Sequence, residues 1–232
     1  MIPRDPALIV FTLGYLLASA VAIVATGNRE FAAYLAQMLV LIPLILWAHR
    51  GARFSRGVLW GLSVWGLLHM AGGTVPVPTR LAQLNDPAQT RAVLYSLWII
   101  PPEVLKYDNV VHAFGFFMTT LACAQAVRRF LAPAVRPTLA LFVVLAAAGM
   151  GFGAVNEIVE FIASRLFETN VGGYVNNSID LIYNGIGACA GAGVAWARWG
   201  RWGGQEGRRD AGGPGGTGAL RPPRPPASGR TR

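Results

Sequence analysis

The feature that most constrains this chain is a series of apolar runs, each near the roughly 20 residues needed to cross bilayer hydrocarbon. They fall at 6–26, 31–47, 57–73, 109–127, 137–164 and 178–196. A soluble core rarely supplies several such runs in one chain. The spacing therefore predicts an all-α, polytopic transmembrane bundle of about six spans, within one domain over residues 1–200. The first run follows Arg4 and Asp5 and is longer than a usual signal-peptide core. It is expected to be a span and not a cleaved leader.

Composition supports this where it matters. Hydrophobic residues make up 53% and charged residues only 13%, and the mean hydropathy is +0.44. The net charge of +9 would ordinarily suggest nucleic acid. Its placement argues against that. Arg208, Arg209, Arg221, Arg224, Arg230 and Arg232 crowd into residues 201–232, a stretch rich in glycine and proline. Such composition buries too little apolar surface to fold. A disordered basic cytoplasmic tail is expected there, able to lie on anionic lipid. Cys123 and Cys189 both fall within apolar runs and read as small buried hydrophobes, not as a disulfide framework.

Topology follows from the basic residues in the short connections. Arg50, Arg53 and Arg56 form one cluster, and Arg128, Arg129 and Arg136 form another. Both lie on the side that holds the termini if six spans are counted. The positive-inside bias puts both termini in the cytoplasm of a multi-pass cell-membrane protein. Residues 74–108 then form the long outer connection. It contains Pro76, Pro78, Pro87, Pro101 and Pro102. Its apolar piece at 91–100 is too short to span, so an interfacial or re-entrant helix is expected. Long connections are often functional, which suggests a lid over an outer site.

Polar residues cost free energy in a membrane and tend to face a bundle interior. Here they gather at one depth. His69 ends the third run. Asp108 and His112 open the fourth, four apart and so on one face. Asn156, Glu157 and Glu160 lie toward the end of the fifth. Asn176, Asn177, Asp180 and Asn184 open the sixth. Alternating helix direction would bring these ends together. Taken singly, Asp108 or Asp180 could be an N-terminal cap, His69 an interfacial hydrogen-bonding group, and Asn184 an interhelical contact. His112, Glu157 and Glu160 are harder to explain that way.

Two chemistries suit the set. One is a divalent metal such as zinc held by His69, Asp108, His112 and Glu157, since imidazole and carboxylate are its usual ligands. A water on that ion could attack an ester or phosphoester. The other is metal-free acid–base work by Asp108, His112, Glu157, Glu160, Asp180 and Asn184. Lys106 is the basic group closest in sequence to Asp108 and could pair with a carboxylate or a lipid phosphate. No phosphate-cradling glycine loop and no nucleophile elbow is present.

Tyr107-Asp108-x-x-x-His112, with Gly115 and Phe116 after it, resembles the Asp-x-x-x-His segment of VanZ-like proteins. Asn156-Glu157-x-x-Glu160-Phe161 is similar to their glutamate-rich helix end, where the later position is often Gln. Ser178-Ile179-Asp180-x-x-x-Asn184-x-Ile186-Gly187-Ala188 is similar to their Asp-x-x-x-Asn-x-x-Gly segment. Leu68-His69-x-x-Gly72-Gly73, followed by a proline-bearing loop and Tyr107-Asp108 with His112, resembles the YjdF-like family of bacterial inner-membrane proteins. The overlap covers roughly residues 57–193. Glu160 and the long loop favour the YjdF-like likeness, whereas Asn184 is less expected in it. The resemblance implies that Asp108, His112, Glu157, Asp180 and Asn184 are working residues, and it names no settled reaction.

The functions that fit are a membrane-embedded enzyme or lipid-binding protein acting on an envelope lipid or lipid phosphate, a small proton-coupled transporter, and a non-catalytic scaffold. Scarce polar groups in the inner half of the spans and the lack of an evident inverted repeat weigh against the transporter.

Overall fold

The computed structural model describes residues 5–82, 91–100, 104–131, 136–166 and 174–211, with side chains through Arg165 and Trp199 in the last two helices. It is an all-α bundle of six long helices. These are α1 (Pro6–Thr26), α2 (Arg29–Ala52), α3 (Arg56–Thr74), α4 (Tyr107–Phe130), α5 (Leu139–Leu166) and α6 (Tyr174–Ala211). By length and composition four can cross a membrane: Pro6–Thr26, Arg29–Ala52, Tyr107–Phe130 and Leu139–Arg165.

The helix starts carry local signals. Asp5 accepts from the Leu8 amide and is followed by Pro6 at the first helical position. Asn28 accepts from the Phe31 amide and so starts α2. Gly27, at φ 61°, takes the left-handed turn that separates α1 from α2.

The helices pack in two groups. Tyr15, Leu16 and Ile23 of α1 meet Phe31 and Tyr34 of α2, Met70 of α3 and Val111 of α4 in one core cluster. Val58 of α3, Met118 and Leu121 of α4, Leu145 of α5 and Ala192, Ala195 and Trp199 of α6 form the other. The tightest seam is between α4 and α6. A Cβ built on Gly187 would stand 2.0 Å from the Ala113 carbonyl oxygen. Only a residue without a side chain lets the two backbones approach so closely.

Three expectations need correction. The stretch 91–100 is not an interfacial helix. It forms a single 3-10 turn at Leu94–Ser96 and then the strand β1 (Trp98–Ile100). β1 pairs antiparallel with β2 (Leu105–Lys106), with Trp98 opposite Lys106 and Ile100 opposite Leu105. The residue before Pro101 is biased to extended backbone, and Ile99 and Ile100 are β-branched. Backbone bonds complete the exchange: Leu94 N to Val75 O at 3.1 Å, Val77 N to Ala92 O at 3.0 Å and Tyr107 N to Leu97 O at 2.9 Å.

Second, helix does not stop before residue 201. α6 runs through Ala211, and the rest of the expected tail lies outside the described residues. Trp199 accounts for the extension past 196. It is 1% exposed and lies under the Arg128 guanidinium at 5.5 Å. Third, Cys189 is exposed on α6, not buried, while Cys123 is partly covered.

Candidate functional site

Of the polar residues expected to converge, His69 of α3, expected as a metal ligand, does not join the others, and those of α4, α5 and α6 gather around His112. The first turn of α4 arranges this. Asn109 accepts from the Lys106 backbone amide at 2.9 Å, so it performs the capping that Asp108 could have supplied. Asp108 is thereby free to face inward, one turn before His112. Asp180 cannot be a cap either, because α6 begins at Tyr174 and places it in the second turn. Asp108, His112, Glu157, Glu160, Asp180 and Asn184 are all buried, Asp180 and Asn184 completely.

Each nitrogen of the His112 ring has its own set of partners. Nδ1 lies 2.9 Å from Asn184 Oδ1 and 3.3 Å from Glu157 Oε1. Nε2 faces Asp108 Oδ1 at 3.4 Å. The Asn184 amide then donates to Glu157 Oε1 at 2.9 Å. This closes a ring of contacts that fixes the imidazole in the bundle. Gly153 on α5 makes room for it, since a Cβ there would stand 2.9 Å from the Asn184 Cβ.

Amides hold the carboxylates. Asn176 donates from Nδ2 to Asp108 Oδ2 at 3.2 Å and also to Asp180 Oδ2. Asn109 donates to Asp180 Oδ1 at 3.3 Å. Asn177 donates to Glu157 Oε2 at 2.9 Å, and Asn156 to Glu160 Oε1 at 2.7 Å. Lys106 reaches the edge of this array. Its Nζ donates to Asn176 Oδ1 at 3.0 Å and stands 5.3 Å above the Trp98 ring.

Among the described residues, two groups could hold a metal ion. Asp108, His112 and Asp180 form one; His112, Glu157 and Glu160 form the other. In each group the ligand atoms lie within 4.8 Å of one another. His112 belongs to both, with Asp108 on its Nε2 side and Glu157 on its Nδ1 side.

His69 is placed apart from these groups. Its Nδ1 is 2.6 Å from the Tyr95 hydroxyl, and its ring packs among Phe31, Tyr34 and Tyr95. Tyr95 lies in the loop, outside the helices. Burial pushes its phenol well above the ordinary tyrosine value, and nearby Asp108 and Glu160 add to that. A phenol that keeps its proton can donate to Nδ1. Between His69 and His112 is a cavity of about 10 Å³, also lined by Trp65, Val111, Phe116 and Asn156. That is about the space one water needs.

Asn109, Tyr95 and Tyr34 were not singled out by sequence reasoning. Asn109 had a usable signal, an amide three residues after the last strand residue and at the start of an apolar run. Tyr95 had none, because its contact with His69 joins a loop to a helix across 26 positions.

The sequence model of the family described as "Predicted membrane protein (DUF2238)" matches residues 7–201. All the residues that build the site lie within that range. The comparison with curated proteins finds no match. The comparison with solved structures finds none either.

Proposed function

We propose, from the premise that the chain belongs to the DUF2238 family of predicted membrane proteins, that it holds a divalent cation between Asp108, His112 and Asp180 and uses it to bind the phosphate of an envelope lipid. The observation that carries this is the two-sided setting of His112. Nδ1 is occupied by Asn184 and Glu157, the kind of support that orients a metal-binding imidazole. Nε2 is left facing Asp108 Oδ1 at 3.4 Å. Two ligands bound about 2.05 Å from one tetrahedral ion stand about 3.3 Å apart. That gap is long for a hydrogen bond and suitable for a shared ion.

Charge supports the same reading. Asp108, Glu157, Glu160 and Asp180 are buried together with one imidazole. An uncompensated buried carboxylate costs on the order of several kcal/mol. A divalent cation offsets that cost for the carboxylates that bind it. Such an ion would polarise a phosphoryl oxygen and lower the pKa of a bound water. Glu157 and Glu160 stand next to His112 as groups able to take a proton.

In this proposal all six helices cross the membrane. α3 has 19 residues, about 28 Å at 1.5 Å per residue, close to the hydrocarbon thickness. The arginine clusters then put both termini in the cytoplasm and the His112 end on the extracytoplasmic face. There an envelope lipid phosphate is within reach, with Lys106 at the rim. The likeness of the His69, Asp108/His112 and Asp180/Asn184 segments to YjdF-like and VanZ-like proteins supports an envelope role.

The test is metal content and titration of the purified protein with zinc and with manganese. One ion per chain is expected, lost at least 100-fold in affinity in His112→Ala and Asp180→Asn and retained in His69→Gln. Absence of stoichiometric metal in the native chain, or loss only in His69→Gln, would sink this reading.

A further inference from the structure

A second cavity lies on the other side of Trp65 from the His112 cluster. It is a groove of about 90 Å³ between α1, α2 and α3, and its lining includes Leu8, Met38, Ile42, Ile45, Leu62 and Trp65. Its polar members do not face an unmet need. The Thr12 and Ser63 hydroxyls are bonded to each other at 2.7 Å. The volume is several times the approximately 10–15 Å³ that a water occupies, but a cavity lined by apolar groups stays dry. Water is therefore a poor occupant, and hydrocarbon a good one.

Its surroundings identify the source of that hydrocarbon. α1 and α2 are both long and apolar enough to cross a membrane. Their outer faces expose Leu13, Leu17, Val21, Leu39, Val40 and Leu44. A groove opening between them opens onto lipid chains. Trp65 belongs to the lining of this groove and also to that of the small cavity beside His69 and His112. Its indole Nε1 is buried without a hydrogen-bond partner among the described residues. It is packed against Gly115, where a Cβ would come within 2.2 Å of that nitrogen. Trp65 thus forms a single wall between a polar site and an apolar groove.

Distance fits as well. From His69 down to Leu59, which lines the groove's far end, α3 descends about 15 Å at 1.5 Å per residue. Leu59 stands three residues, about 4.5 Å, from the Arg56 start of α3, so the groove runs from one turn below His69 toward the cytoplasmic end. A lipid whose phosphate sits at His112 would have its chain at the level of the groove.

We infer that the α1–α2–α3 groove receives an acyl chain of the lipid whose phosphate is held at the His112 cluster, with Trp65 separating headgroup from chain. This rests on the proposed function for the headgroup end. It adds that the substrate is an acylated lipid phosphate and not a free phosphate or a soluble ester. Selectivity for chain length is then set by the groove, well away from the polar residues.

The experiment uses the full chain in nanodiscs with phosphatidic acid carrying a diazirine midway along one acyl chain. After irradiation, adducts are mapped by peptide mass spectrometry. Adducts are expected on Ile42, Ile45 and Leu62 above those on the exposed α1 residues Leu13 and Leu17. Ile45→Trp, which fills the groove from a half-exposed position, is expected to lower groove labelling at least five-fold while zinc titration is unchanged. Leu44→Trp, on the exposed face of the same helix, controls for bulk alone and is expected to leave labelling intact. Equal labelling of groove and exposed α1 residues, or equal labelling in native and Ile45→Trp protein, overturns the inference. Loss of zinc binding in His112→Ala with groove labelling kept leaves the groove standing as a chain site. Groove labelling that persists in a native chain with no metal binding leaves the chain site but overturns the cation reading, so the two failures are told apart.

Discussion

Between α4 and α6 the chain leaves almost no room. Gly187 lies against the Ala113 backbone, Gly191 against the Phe117 carbonyl, and Gly149 on α5 against the Thr120 hydroxyl. Between α1 and α2 the packing is looser. Gly14 and Gly51 lie on their exposed faces with nothing within 4 Å of a notional Cβ, and large apolar side chains such as Leu17 and Val24 are mostly exposed. The first region carries the buried amides and carboxylates; the second carries the apolar groove. The difference has a physical cause. Lipid solvates an apolar surface as well as another helix does, so α1 and α2 gain little by close packing. A buried carboxylate finds no partner in lipid. Helices that carry such groups must be held close enough for amides to reach them at about 3 Å.

The contrast can be broken most directly at its glycines. Gly187→Val should force α4 and α6 apart and cost about 3 kcal/mol or more, since overpacking a tight seam is strained. Gly14→Ala should change stability by less than about 1 kcal/mol and could raise it through helix propensity. Thermal unfolding of both variants in detergent checks this. Equal shifts would remove the claim that the two regions differ.

The next effect is polar. Asn184→Leu removes the partner of both His112 Nδ1 and Glu157 Oε1. A loss of about 2–6 kcal/mol is expected, at about 1–3 kcal/mol for each buried group left unsatisfied. Thr12→Val removes one hydroxyl, with its bonds to Ser63 and to the Leu8 carbonyl, and should cost about 1 kcal/mol. Chemical unfolding in mixed micelles would rank the two. A smaller effect for Asn184→Leu would mean that the ring around His112 is not the structural centre of the bundle.

The smallest effect belongs to Asp5, at the opposite end of the bundle. It accepts from the Trp60 indole at 2.9 Å and from Arg56 Nε at 2.6 Å. The Trp60 hydrogen bond holds its carboxyl below the ordinary value of 3.8, against a counteracting desolvation. The folded form thus favours the ionised carboxylate. Its contribution is present above the ordinary carboxylate value and is lost as pH falls through the lower folded value. An acid series comparing native protein with Asp5→Asn should show a gap between them that narrows toward low pH. A gap that widens on acidification would reverse the sign of this contact.

Much of the architecture was legible from residues alone. Five of the six helix ranges follow the apolar runs to within about five positions, because each run must satisfy its own backbone in lipid, while α6 runs on to Ala211, 15 residues past its run. Asn28 and Gly27 mark the α1–α2 turn by chemistry that is local to them. Part of the buried polar cluster was also legible, since Asp108/His112 and Asp180/Asn184 each share a helix face by spacing, but His69, expected among the metal ligands, pairs with Tyr95 outside it. Other parts were not. The pairing of β1 with β2 joins Trp98 to Lys106, and the place of Trp199 depends on Arg128, 71 positions before it in sequence.

The sequence by itself determined that this chain is a multi-helix membrane protein and which polar residues share its costly layer, because hydrophobic length and helical period are properties of short stretches. Only the tertiary structure decided that His69 turns to Tyr95 while His112 meets Asp108 and Glu157, and that Trp65 stands between a polar site and an apolar groove. Those outcomes depend on how close three or four helices can come. That closeness is set by which glycines face which backbones, and no single stretch of sequence contains it.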